Sequence, residues 1–86
     1  MLMSMFNLTP AGPVGPVSAG AVVDLLWLHV AAPDGIKHIH ARSGPAGVDV
    51  VMFTVASDQG IADVIARTVC RRALSSTPAL RGWRLL

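Results

Sequence analysis

Residues 48–56 read VDVVMFTVA, and this stretch decides how the chain is built. It is short, rich in β-branched residues and bounded by turn formers, which predicts a strand. Side chains alternate along a strand, so Val50, Met52, Thr54 and Ala56 point one way and Val51, Phe53 and Val55 the other. A sheet covered on one side alternates apolar with polar residues. Here both sets are apolar, and the reading demands a layer against each face.

The neighbouring segments are read outward from this strand. Gly44-Pro45-Ala46-Gly47 is a turn, and Ile36–Ser43 alternates as a second strand. Pro33-Asp34-Gly35 is a turn in which Pro presets φ and Gly accepts a positive one. Before it, residues 22–32 (VVDLLWLHVAA) predict a third strand, with a helix as the rival because the leucines and Trp27 tolerate one. Downstream, Ser57 or Asp58 caps a helix running from about Asp58 to Leu74. Its apolar face is Ile61, Val64, Ile65, Thr68, Val69 and the alanines at 62, 66 and 73, with Asp63, Arg67 and Arg71 opposite. Ser75-Ser76-Thr77-Pro78 ends it, and residues 81–86 (RGWRLL) predict a last strand.

Residues 1–20 stand apart. Pro10, Pro13 and Pro16 alternate with Gly12, Gly15 and Gly20, and GPV occurs twice at 12–17. Proline removes backbone donors and glycine costs entropy, so a flexible N-terminal arm is expected at 1–20 and one small domain at 21–86. The expected fold is α+β: a small open-faced sandwich with an antiparallel sheet of about four strands, element order β-β-β-α-β and one main helix on one face. It is ferredoxin-like by analogy of element order alone. Deleting residues 1–18 should, on this reading, leave the fold intact.

Composition bears on partners. The chain has 86 residues, 52% of them hydrophobic, with a mean hydropathy of +0.56. A domain this small buries only about 60% of the surface of its unfolded chain. Apolar surface is therefore left over, to be covered by the N-terminal arm, a second subunit or a ligand, and a homodimer, or else a protein partner, is the leading expectation. Net charge is only +2, with five Asp, no Glu and one Lys, so nucleic acid is not expected. The run from Ala19 to Ala32 is too short and too interrupted, by Asp24 and His29, to span a membrane. A lone cysteine, Cys70, excludes an internal disulfide and suits a cytoplasmic protein. The preference for Ala, Val, Gly, Pro and Arg suggests a bacterial source.

Candidate chemistry is sparse. His38-Ile39-His40 puts two imidazoles on one strand face, a weak metal candidate; a three-residue loop at 33–35 sends His29 to the opposite face, whereas a two-residue loop would set it beside His38. Two ligands fall short of the three or four that zinc usually takes, and no tight metal site is expected. The plainer expectation for His38, His40 and Arg42 is the polar outer face of an edge strand. Arg67, Arg71, Arg81 and Arg84 are candidates for anion binding if the last strand lies near the helix. Trp27, Val51, Met52, Phe53 and Val55 are the candidates for a subunit interface or ligand pocket. No nucleophile, paired carboxylate or phosphate loop stands out, so no catalytic residue and no cofactor is assigned. The function expected is a non-enzymatic interaction or dimerisation domain. A small-molecule sensor or carrier with an interfacial apolar pocket is the alternative, and a His-dependent metal protein or enzyme the second.

Overall fold

A computed structural model describes residues 1–12 and 17–86. The elements are β1 (Leu2–Pro10), α1 (Ala19–Trp27), β2 (Ile36–Gly44), β3 (Gly47–Thr54), α2 (Gln59–Ser76) and β4 (Trp83–Leu85), with single 3₁₀ turns at Ala32–Asp34 and Pro78–Leu80. The strands form one sheet in the order β2-β3-β1-β4, and every neighbouring pair is antiparallel. The fold is thus the expected open-faced α+β sandwich, with α2 as its main helix. Its connectivity, β-α-β-β-α-β, interleaves two split β-α-β units and is ferredoxin-like by analogy.

Two expectations about the first third of the chain are corrected. Residues 2–10 are not a flexible arm: they form β1, an interior strand paired with β3 from Leu2↔Thr54 to Leu8↔Val48 and with β4 at Leu8↔Leu85. Residues 13–16, which hold most of the GPV tandem, lie outside the described residues. The segment at 22–32 is not a strand. Its first part belongs to α1, started by the Ser18 side chain accepting from the Ala21 N–H at 3.1 Å, and Val22 and Leu26 are buried one turn apart. Consequently no hairpin crosses residues 33–35. Those residues follow a helix, and Gly35, with φ of 70°, turns the chain into β2.

Both helices lie on the same side of the sheet. The core between them comprises Phe6 and Leu8 of β1, Ile36 and Ile39 of β2, Val48, Val50 and Met52 of β3, Val22 and Leu26 of α1, and Ala66, Val69, Cys70 and Ala73 of α2. Small residues on the buried face of α2 let the helix sit close to the sheet. This face is narrower than periodicity suggests, since Ile61 and Val64 are exposed. A β-bulge between Ile36 and His38 lets Ile36 and Ile39 both turn inward although they are three residues apart. Without it, strict alternation from Ile39 would aim Lys37 at the core.

The Arg72 guanidinium ties the far ends of the helices together. It reaches Asp34 Oδ2 at 3.0 Å and donates to the His29 carbonyl at 3.2 Å. Asp34 also accepts from the Ala31 N–H, and His29 Nε2 lies 3.1 Å from Thr77 Oγ1. Among the described residues, no helix is long and apolar enough to cross a membrane.

Candidate functional site

The face of the sheet turned away from the helices is built in cross-strand rows. Residues directly opposite one another share a face. The register therefore aligns His38 with Phe53 and Met3, His40 with Val51 and Met5, and Arg42 with Asp49 and Asn7. Leu86, whose N–H donates to the Asn7 carbonyl, extends the surface beyond β1. Two of the three rows are apolar from their middle outward, and the third is polar.

Exposure confirms which face is which. Met3 is 47% exposed and Met5 68%, while their neighbours Ser4 and Phe6 are buried on the helix side. Val51 and Phe53 are half-buried by the side chains around them, and Val55 continues their line at the strand's end. At the polar end, Asn7 Nδ2 donates to Asp49 Oδ1 at 2.9 Å. A shallow depression of about 400 Å³ lies here, with Met5, Val51 and Leu86 on its apolar side and His40, Arg42 and Asp49 on its polar side.

His38 and His40 form an aromatic corner with Phe53. Their ring centres are 4.1 Å apart and nearly perpendicular, and the Phe53 ring lies 6.1 Å from one and 6.3 Å from the other. Strand β2 is an edge strand, and both imidazoles are exposed, as expected. His29 lies apart from them, but for a different reason from the register across residues 33–35. It follows α1 and bonds to Thr77 at the end of α2. Among the described residues, no three His, Cys, Asp or Glu side chains gather as a metal site.

The five residues assigned to an interface or pocket do not form one surface. Val51, Phe53 and Val55 belong to the open face. Met52 is fully buried on the opposite side of the same strand, and Trp27 sits at the end of α1 in the helix layer. Met3, Met5 and Leu86 complete the open face and were not anticipated. The four arginines are likewise divided. Arg84 pairs with Thr9 and so lies on the open-face side of β4, whereas Arg67 and Arg71 lie on α2 and Arg81 in the turn before β4. Arg67 places its guanidinium 5.1 Å from the centre of the Phe6 ring, a packing role.

Two further groups are structural. Burial pushes the Cys70 thiol up to about 12, so it stays a neutral core side chain despite nearby Arg67. Ser4 Oγ donates to Asp63 Oδ1 at 2.6 Å, and Gln59 Nε2 donates to both Asp63 and the Met3 carbonyl. The Ser4 bond, then the Gln59 bond and the Arg67 charge, hold the Asp63 carboxyl below its ordinary value. This group fastens the start of α2 to β1. No protein-family model, curated protein or solved structure matches the chain.

Proposed function

We propose that the chain is a non-enzymatic association module that pairs with a second copy of itself through the open face of its sheet. The observation that carries this reading is the continuous apolar surface of Met3, Met5, Val51 and Phe53 opposite a face already covered by both helices. Three strands about 4.8 Å apart, β2, β3 and β1, and seven paired residues at about 3.4 Å give a face of roughly 14 by 24 Å in plan. Each copy also carries Arg42 and Asp49 side by side at the polar end, with Arg84 one row further on, so a twofold axis can set unlike charges together. A cytoplasmic, bacterial setting accords with the single buried cysteine and the composition.

Size-exclusion chromatography with light scattering tests this. The native chain should run as a dimer. Met5→Asp or Phe53→Asp should give a folded monomer, because a charge buried in an apolar interface is costly. Val64→Asp, on the exposed side of α2, should leave the dimer intact. A second reading rests on the depression beside Met5 and Arg42. A carrier would seat an apolar body against Met5, Val51 and Leu86 and an anionic head against Arg42. Retention of a small apolar acid by the purified chain, lost in Arg42→Ala, would favour it.

A further inference from the structure

We infer that His38 and His40 form a two-imidazole site for a borderline divalent metal ion of the zinc class. Residues i and i+2 of a strand share a face, and here the two rings stand in contact, with centres 4.1 Å apart. Neither ring is a hydrogen-bond partner of another side chain among the described residues; each packs against Phe53. Phe53 holds the pair upright without competing for a ring nitrogen. The edge position of β2 leaves one flank of the pair open to solvent.

The geometry is close to that of a chelate. Imidazole nitrogens at about 2.0–2.1 Å from one ion, set at a tetrahedral angle, place their ring centres about 5 Å apart. Opening the pair from 4.1 Å to that separation takes a rotation of one or both side chains, and both are exposed. Imidazole suits zinc and copper among the divalent ions. The other groups that bind such ions are out of reach: His29 is engaged by Thr77 on the helix side, and Cys70 is buried in the core. Asp49 sits one row along, opposite Arg42 and bonded to Asn7. With two protein ligands, the remaining positions belong to water, which makes the ion exchangeable and distinct from a structural zinc.

The two rings lie at the β2 margin of the face assigned to self-association, and zinc binding is read separately from the mass of the particle. Its test uses the untagged full chain and zinc ion alone, titrated by calorimetry at pH 7.5 and again below the imidazole range. Saturable binding is expected at the higher pH. It should weaken by about tenfold or more in His38→Ala and in His40→Ala, each checked for native circular dichroism. It should also fade at the lower pH, where protons compete for the ring nitrogens. His29→Ala should bind as the native chain does. Absence of saturable heat, or binding that survives both substitutions at β2, would overturn the assignment.

Discussion

The two faces of the sheet are made by the same strands and have opposite fates. On one, Phe6, Leu8, Ile39, Val50 and Met52 are sealed beneath two helices. On the other, one residue along in each strand, Met3, Met5, Val51 and Phe53 meet no second layer among the described residues. The folded chain exposes 4925 Å², close to the roughly 4,900 Å² expected for a monomer of its mass. Ordinary compactness combined with an apolar composition leaves the excess on the surface, part of it on the helix side at Trp27, Leu28, Ile61 and Val64 and part on the open face at Met3, Met5 and Leu86. Hydrophobic patterning therefore does two jobs here: one face holds the chain together, and the other is available to hold something else.

Removing β1, which contributes to both faces, should have the largest effect. Deleting residues 1–10 takes out the strand between β3 and β4, and we expect no cooperative thermal transition in circular dichroism. A stable truncated chain would mean that β2, β3 and the helices suffice. Single truncations then separate the faces. Leu8→Ala should lower unfolding free energy by about 2–5 kcal/mol, the range for a buried leucine. Met5→Ala, three residues away on the exposed face, should cost the isolated monomer less than about 1 kcal/mol. Urea denaturation at a concentration low enough to favour monomer measures both, and equal costs would erase the distinction between the faces.

A backbone position gives a smaller effect. Gly47 closes the β2–β3 hairpin with φ of 125°, and an added Cβ would run into the Leu8 carbonyl. Gly47→Ala should destabilise by about 1–3 kcal/mol, since a side chain there is strained before any clash is counted. A neutral result would show that the hairpin and β1 can separate without loss.

The smallest effect is a pH dependence at the join of β1 and α2. Asp63 is held below its ordinary value, chiefly by Ser4. A carboxylate whose folded value is depressed contributes stability above its unfolded value, about 3.9, and loses it as pH falls through the folded one. Acid unfolding of Asp63→Asn should therefore fall off less steeply below about pH 4 than that of the native chain. Ser4→Ala should move the Asp63 titration, followed by carboxyl NMR, back toward ordinary. An unchanged titration would remove Ser4 as its cause.

What the sequence disclosed follows from how plainly each segment carried its period. β3, β2, α2 and the last strand were legible because alternation, the Asp58 cap and the Pro78 stop all agree. β1 was illegible because its polarity is inverted: Ser4 faces the core while Met3 and Met5 face out, so alternation marks no inner face. The prolines and glycines at 10–20 then drew the whole start into one irregular segment. α1 hid in an apolar run whose β-branched Val22 and Val23 favour a strand. The local signals were the Ser18 cap and the Val22–Leu26 spacing, with Asp24 left outside. For the site, parity puts Val51 with Phe53 and His38 with His40, as the register has them. Met52 has the opposite parity, and its inclusion contradicted the same alternation. Met3, Met5 and Leu86 could enter only once β1 was known to sit beside β3.

If the open face is an association surface, the mass of the native particle in solution reports it. Light scattering across micromolar concentrations should give twice the 9.0 kDa of one chain, falling to one chain in Met5→Asp with helix and sheet content preserved. A native chain that stays at 9.0 kDa throughout, with Met5 and Phe53 open to solvent, would contradict it.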